Sequence, residues 1–434
     1  MASIPRGLVR VAKSELSRAA RELIRDELRV TPRVSSFLAN PEPMILWHED
    51  DDWIGIPRGF YHQSIKKRFD PTIQFNFSEG VSDLRPIDPI ALRAGQGEVI
   101  DSAMKCLHQN SFGGVIIEMP TGGGKTVTAI ELARRVGLKA LFVVHTTVLM
   151  DQWIEELKRF TKWSVGKIRQ DCCDVSGNDV CVGLIHSLVM REYPDSFYDE
   201  FGLIVVDEVH VTSSSEFHKL YNRFTPKYFV GLSGTLKRKD GLDKVFVSAI
   251  GQPVSGMNSV KILSPVVHFV DMSHMWSSGG IYNHPARDKV IVSNAVSAAK
   301  AGRTVLVLGE RVSHIKEIGA LIKKQFDSVG VMVGESTKLE RDVAVEKTIL
   351  CATSQLLAVG FNKPSLDTLI LASPVKGALV QAVGRILRFH DGKRSPMVID
   401  LVDSDSLPLA LERRDIYRAK GWDIKSPVGL FSRA

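Results

Sequence analysis

The run Met119-Pro120-Thr121-Gly122-Gly123-Gly124-Lys125-Thr126 constrains this chain more than any other stretch. An apolar segment, Val115 to Ile117, precedes it, and a helical pattern, Val127 to Val136, follows. Strand, glycine-rich loop and helix in that order form the context of a phosphate-binding loop. Glycines let backbone N–H groups close around phosphate oxygens because no side chain blocks the approach. The helix start adds partial positive charge. In that frame Lys125 reaches the β- and γ-phosphates of a nucleotide, and Thr126 holds Mg²⁺. The general pattern has glycine at position 119, where this chain has methionine. A plain glycine-rich turn would leave Lys125 unexplained.

A length of 434 residues is a prior for two or three domains. With 44% hydrophobic and 24% charged residues the composition is that of ordinary globular protein. Lys and Arg outnumber Asp and Glu by 56 to 49, a net charge of +7. That balance permits nucleic-acid binding without demanding it. Five cysteines fit a reducing compartment. Cys172, Cys173 and Cys181 lie close in sequence, but no second ligand pair follows at zinc spacing. No apolar run is long enough to span a bilayer, and the N-terminus lacks the apolar core of a signal peptide. Arg6, Arg10, Lys13, Arg18 and Arg21 give the start a transit-peptide flavour; Glu15, Glu22, Asp26 and Glu27 argue against it.

Hydrophobic periodicity divides the chain. A helix is expected from about Lys13 to Leu28, followed by short apolar pieces at Val34–Leu38, Met44–Trp47, Trp53–Ile56 and Ile73–Phe77. These form a small α+β module, and the acidic run Glu49 to Asp52 is its solvated turn. From Ile90 strands and helices alternate, with strands expected at Val115–Ile117, Ala140–Val144, Val180–Leu184, Leu203–Val206 and Tyr228–Leu232. After Gly251 the order restarts, with strands at Val266–Val270, Thr304–Leu308, Val331–Val333, Lys347–Cys351, Thr368–Leu371 and Met397–Leu401. Alternation of this kind predicts an α/β chain with two mostly parallel sheets covered by helices on both faces. The expected division is an accessory module over 1–85, a first lobe over 86–255 and a second over 256–434.

Asp207-Glu208-Val209-His210 closes the apolar run Leu203 to Val206. A carboxylate at the end of a buried strand suits a second Mg²⁺ contact, which Asp207 would make. Glu208 would orient and deprotonate an attacking water. His210 would sense the nucleotide and signal onward.

Gly-Lys-Thr followed by Asp-Glu-x-His resembles the signature of superfamily 2 helicases, whose loop takes the variant form Pro-Thr-Gly-x-Gly-Lys-Thr. Leu92-Arg93-Ala94-Gly95-Gln96 is similar to their adenine-side motif, with Gly95 where an aromatic residue is usual. Val144-His145-Thr146-Thr147, running on to Leu149, Gln152 and Trp153, is similar to the first nucleic-acid-contact motif; Val182 to Leu188 resembles the next. Leu232-Ser233-Gly234-Thr235 resembles the motif that couples hydrolysis to strand movement. Its continuation, Leu236 to Leu242, is similar to the XPB-like and phage UvsW-like branches. Val305 to Glu310 resembles motif IV. Ala352-Thr353 through Gly360-Phe361-Asn362-Lys363-Pro364 resembles motif V, with Asn362 at a usual aspartate. Gln381-Ala382-Val383-Gly384-Arg385-Ile386-Leu387-Arg388 resembles motif VI at every defined position, and arginines three apart on a helix face the same way. The tail, with Arg413, Arg414, Tyr417 and Gly421-Trp422, resembles the closing helix of XPB-like helicases. Pro57-Arg58-Gly59-Phe60 is similar to a segment in helicases of large cytoplasmic DNA viruses, of the poxvirus transcript-release type.

The resemblance implies two tandem RecA-like lobes plus the N-terminal module. It implies an ATP- and Mg²⁺-dependent DNA helicase or translocase, 3′-to-5′ in polarity, acting in transcription, recombination or repair. An RNA helicase of the Asp-Glu-x-His type, or a nucleic-acid clamp with a decayed ATP site, are the alternatives. The expected catalytic set is Lys125, Asp207, Glu208, His210, Gln381, Arg385 and Arg388. Nucleotide is expected at Arg93, Gln96, Pro120, Thr121, Gly122, Gly123, Gly124, Lys125, Thr126 and Gly360, and the metal at Thr126 and Asp207. Thr147, Ser187, Ser233, Thr235 and Thr353 are expected to contact the strand or couple to it. Nucleic acid, DNA before RNA, is the implied partner; RNA polymerase or other replication and transcription proteins are admitted, and no membrane. The implied location is cytoplasm or nucleus, or a viral factory or virion, and not outside the cell.

Overall fold

A computed structural model describes residues 3–33, 41–120, 122–214, 216–234, 236, 240–255, 263–274, 281–282, 284–356, 363–375, 379–388, 390, 392–427 and 430–431. The expected strand Val34–Leu38 and the site candidates Thr121, Thr235 and Gly360 lie outside the described residues, as do Lys237, Arg238, Lys239, Phe361 and Asn362. The chain divides into two compact units, one of Met1–Pro120 with Gly124–Val260, the other of Thr121–Gly123 with Lys261–Ala434. No helix among the described residues is long and apolar enough to cross a membrane.

The first unit opens with strand β1 (Val9–Ala12), a 3₁₀ turn at Lys13–Glu15 and a helix at Arg18–Glu27. The helix expected from Lys13 therefore starts later. Ser17 sets its start, because its hydroxyl accepts the Ala20 N–H at 3.1 Å and caps the first turn. Short strands β2 (Arg29–Val30), β3 (Met44–Ile45), β4 (His48–Glu49), β5 (Trp53–Ile56) and β6 (Ile73–Gln74) follow. They form an antiparallel sheet of order β4-β5-β1-β6, with β2 and β3 paired separately.

The larger sheet is built from β7 (Gly113–Glu118), β8 (Ala140–Val144), β9 (Val165–Arg169), β10 (Cys172–Cys173), β11 (Val180–Leu184), β12 (Leu203–Val206), β13 (Tyr228–Ser233) and β14 (Pro253–Ser255). Its order is β10-β9-β11-β8-β12-β13-β7-β14, and every pair is parallel except β9 with β10. Alternate residues feed opposite layers, as strand geometry requires. Val115, Ile117, Phe142, Val144 and Val205 pack on one face, and Ile116, Leu141, Val143, Ile204 and Val206 on the other. Each fully buried aliphatic side chain here contributes about 1.5–3 kcal/mol. The hairpin β9–β10 and strand β14 carry too little apolar patterning to be read in advance.

The N-terminal module is welded to this sheet. Arg58, 2% exposed, donates from Nη1 to the Pro226 carbonyl at 2.6 Å, and its guanidinium lies over the rings of Phe75 and Phe229. Gly7 N–H donates to Asn222 O, and Ser78 N–H to Thr225 O. A Cβ on Gly59 would come within 2.7 Å of backbone atoms of Val247, Ser248 and Gly251, so the residue after Arg58 has no room for a side chain.

The second unit holds β15 (Val266–Asp271), β16 (Val305–Gly309), β17 (Val329–Met332), β18 (Ile349–Thr353), β19 (Thr368–Leu371), β20 (Met397–Val402) and β21 (Asp423–Lys425). They form an all-parallel sheet of order β17-β18-β16-β19-β20-β15-β21. Helices Pro285–Lys300, Val312–Lys323, Leu379–Ile386 and Leu407–Ala419 accompany it. Two buried ion pairs anchor β20, one inside the strand and one just past its end. Arg287 reaches Asp403 at 2.8 Å, and Arg413 reaches Asp400 at 2.7 Å, with Tyr417 Oη donating to the same carboxylate at 2.8 Å. The tail residues Arg413 and Tyr417 thus lie in the core of this unit.

Candidate functional site

The glycine-rich loop leaves the carboxyl end of β7, and Asp207 and Glu208 leave the carboxyl end of β12 in the same sheet, with β13 between them. Ligands of open α/β sheets gather at such strand ends. Met119 departs from the general loop pattern for a structural reason: its side chain is fully buried in the core below the loop, and its N–H donates to Ser233 O at 2.9 Å. Gly122 and Gly124 have φ of +85° and +83°, a backbone that L side chains rarely adopt. Helix Lys125–Val136 starts at once after them.

Gln96 holds the loop from behind. It is 1% exposed, accepts the Arg93 N–H on Oε1 at 2.7 Å and donates from Nε2 to Gly124 O and Thr128 Oγ1 at 3.2 Å. Gly95, standing where an aromatic residue is usual, has φ +82° at the start of helix Gln96–Leu107. A left-handed residue is needed there, and glycine supplies it.

Lys125 Nζ is 2.7 Å from Glu208 Oε1. Burial works against the Glu208 charge, yet the lysine's charge and hydrogen bond hold its carboxyl below the ordinary value. Glu208 also sits at φ +48°, ψ +56°, a strained setting for a non-glycine residue. The neighbouring Asp207 is pushed the other way: burial raises its carboxyl, and Lys125 opposes the shift. Asp207 accepts the Glu208 N–H on Oδ1 at 3.0 Å and the Trp153 indole N–H on Oδ2 at 2.9 Å. Two carboxylates side by side thus differ in environment. His210 Nδ1 lies 3.5 Å from Glu208 Oε2 and 3.5 Å from Ser233 Oγ, linking the ends of β12 and β13 in a chain of polar atoms. Burial lowers the imidazole of His145, at the end of β8, against the opposing pull of Asp207 and Glu208.

Three of the expected strand contacts do not face solvent. Ser187 is 6% exposed, and its Oγ accepts the Gln170 N–H at 3.0 Å, which ties down the tip of the β9–β10 hairpin. Ser233 is fully buried beside His210. Thr353, 1% exposed, ends β18 with a hydroxyl that has no hydrogen-bond partner among the described residues. Thr147 is half-buried and opens helix Thr147–Phe160, where Thr146 Oγ1 caps Leu149 N–H.

In the second unit Gln381 is exposed on helix Leu379–Ile386, and Arg385 and Arg388 are half-buried at its end. Lys393 Nζ donates to the carbonyls of Arg388 (2.6 Å) and Pro364 (2.9 Å), which fixes the backbone behind Arg388. Two contributors to the first unit's site escaped the sequence reading. Trp153 and His145 stood inside a motif, but nothing in their spacing shows that their side chains turn toward Asp207 and Glu208.

Two α/β units, a glycine-rich loop with its lysine and an acidic strand end define a P-loop nucleotide hydrolase of the tandem RecA-like class. The family "Type III restriction enzyme, res subunit" matches residues 89–238. L396 of Acanthamoeba polyphaga mimivirus, assigned as an ATP-dependent RNA helicase, is 28% identical over 413 residues, covering 88% of this chain and 78% of its own. D10 of Escherichia phage T5, assigned as a helicase, is 25% identical over 360 residues, covering 78% and 79%. The solved structure of S. cerevisiae Dbp5 bound to RNA and ADP BeF3 shares the fold, with a TM-score of 0.55 at 15% identity, over 79% of this chain and 91% of that one. The relatives that match over most of this chain are viral helicases, and its residues 89–238 match the helicase-bearing family model.

Proposed function

We propose that this protein hydrolyses ATP and uses the energy to unwind or move along nucleic acid. The observation that carries the reading is the meeting of Lys125 and Glu208 at 2.7 Å, which brings a phosphate-binding cation and a candidate base to one spot. Nucleotide phosphates would be cradled by the N–H groups of Gly122, Gly123 and Gly124 and by Lys125, with Pro120 and Thr121 in the same loop. Arg93 and Gln96 stand on the adenine side, Gln96 by clasping the loop. Glu208, once Lys125 turns to phosphate, is free to accept a proton from water attacking the γ-phosphorus.

Thr126 and Asp207 offer a hydroxyl and a carboxylate next to that pair, the hard oxygen donors that Mg²⁺ takes. Mg²⁺ held there would neutralise phosphate charge. We assign Arg385 and Arg388, with Gln381, to spreading charge off the transition state, and Gly360 to nucleotide contact. His210, Ser233 and Thr235 are assigned to coupling, which the 3.5 Å spacing of His210 and Ser233 supports. Thr147 and Thr353 are assigned to the strand; the start of helix Thr147–Phe160 offers N–H groups that bind phosphate without reading bases.

DNA is the preferred polymer and 3′-to-5′ the polarity, because the segment Leu236–Leu242 is similar to XPB-like and UvsW-like helicases. RNA is the second reading, favoured by the assignment of the mimivirus relative to RNA. Transcription, recombination or repair, with polymerase partners in cytoplasm, nucleus or viral factory, is the setting we assign. The test is a panel of single-stranded, duplex, forked and hybrid polymers scored for ATPase stimulation and strand separation. Stimulation by duplex or forked DNA supports the first reading, stimulation by RNA alone replaces it with the second, and none by any polymer overturns both.

A further inference from the structure

Trp153 lies one layer behind the acidic strand end, on the middle of helix Thr147–Phe160. Its ring is 3% exposed and stacks on Phe142 of β8, with centroids 4.9 Å apart and planes at 29°. Phe142 thus fixes the ring's tilt, and the indole N–H points at Asp207 Oδ2, 2.9 Å away. The other oxygen, Oδ1, is held by the Glu208 N–H, and the Asp207 N–H is held by Val143 O at 2.9 Å. The backbone N–H and both carboxylate oxygens are therefore each held by a hydrogen bond. An indole only donates and never ionises near neutrality, so it orients the carboxylate without competing for a cation.

We infer that Trp153 is a positioning residue: it aims the Asp207 carboxylate at Mg²⁺ and ties that aim to helix Thr147–Phe160. The inference rests on the proposed function for the metal at Asp207 and for polymer at the start of this helix. Six residues separate Thr147 from Trp153, about 9 Å along the axis. A polymer that shifts the helix start moves the indole with it, because the helix is one rigid rod over that length. The metal site then feels the polymer directly.

The test is Trp153→Phe, which keeps a ring on Phe142 and removes only the N–H donor. Binding of a fluorescent ATP analogue is titrated against Mg²⁺, with and without a DNA or RNA oligonucleotide, beside thermal melting of each protein. Loss of a partner behind a metal ligand typically weakens metal affinity about 10-fold or more. The expected result is a Mg²⁺ requirement raised by about 10-fold, analogue affinity in EDTA unchanged, and melting within a few degrees of wild type. The oligonucleotide, which shifts the Mg²⁺ requirement of the wild type, leaves that of the variant unmoved. An unchanged Mg²⁺ requirement in Trp153→Phe, beside a wild type that binds nucleotide, overturns this inference alone. Loss of affinity in EDTA as well as in Mg²⁺ also overturns it, by making Trp153 a packing residue. A wild type that binds no nucleotide overturns the functional reading, and this inference with it.

Discussion

Lys125 and Glu208 neutralise one another across the ends of β7 and β12, Nζ to Oε1 at 2.7 Å. The two groups cannot serve each other and a nucleotide at once. On the function proposed above, arriving phosphates draw the lysine away, and that same movement releases the carboxylate to act on water. Glu208→Gln removes the proton acceptor and leaves the lysine unpaired. ATP affinity should hold or rise, while hydrolysis falls by about 10²–10⁴-fold. Phosphate release measured beside nucleotide binding decides it, and turnover at the wild-type rate would take Glu208 out of its assigned role.

Lys125→Ala removes the cation from the loop and from Glu208 together. Without that lysine the Glu208 carboxyl should move up toward and past its ordinary value, since burial is the largest influence left on it. ATP turnover is expected to fall to background. Turnover untouched by the substitution would favour the clamp reading, with the activity coming from a contaminant.

Arg388→Ala should lower turnover more than it weakens ATP. Arginines of this kind are worth about 10³–10⁵ in rate where they act on the transition state. Separate measurement of kcat and of ATP affinity checks the assignment; a variant weak in binding but normal in kcat would make Arg388 a ground-state contact.

Arg58 is a buried cation with no carboxylate partner among the described residues, and burial draws its guanidinium down to about 9. Arg58→Ala orphans the Pro226 carbonyl and opens a void, at a cost of about 2–4 kcal/mol. Arg58→Met refills the space between Phe75 and Phe229 without the charge, and should recover most of that loss. Chemical denaturation of the two variants separates packing from charge; equal losses would show that the hydrogen bond to Pro226 dominates.

Two imidazoles near this junction give it an acid limit. Burial lowers both His62 and His218 from 6.5 to about 4. The folded protein keeps them neutral, whereas the unfolded chain takes up protons below 6.5. Their contribution is intact above that pH and is lost steadily between 6.5 and about 4. Melting temperature should fall over that window, and His218→Gln should flatten the fall. A profile unchanged by the substitution would mean other groups set the acid limit.

The strands that carry the site were legible because they are buried on both faces. Ala140–Val144 and Leu203–Val206 are unbroken apolar runs, and their ends coincide with the bounds read from sequence. Helix Arg18–Glu27 was overextended because Lys13 and Leu16 continue its pattern, and only the Ser17 cap marks where it begins. The placement of Lys125 at a helix start, and of Asp207 and Glu208 at a strand end, was legible through motif order. Their pairing was not, nor was the Gln96 clasp on Gly124, since side-chain partners across a sheet leave no trace in spacing. The bond that Ser187 accepts from Gln170 left no trace either: a hydroxyl after a strand looks alike whether it meets solvent or a neighbouring hairpin.

The bond from Arg58 to Pro226 spans 168 residues. A ribosome must deliver β13 and the turn before it before the first 80 or so residues can dock. Until then the nascent N-terminus exposes its apolar faces and an unpaired guanidinium. Truncations that remove the module should strip cover from Phe229 and leave a sticky product, and synthesis of the intact chain should profit from holdase chaperones during that wait.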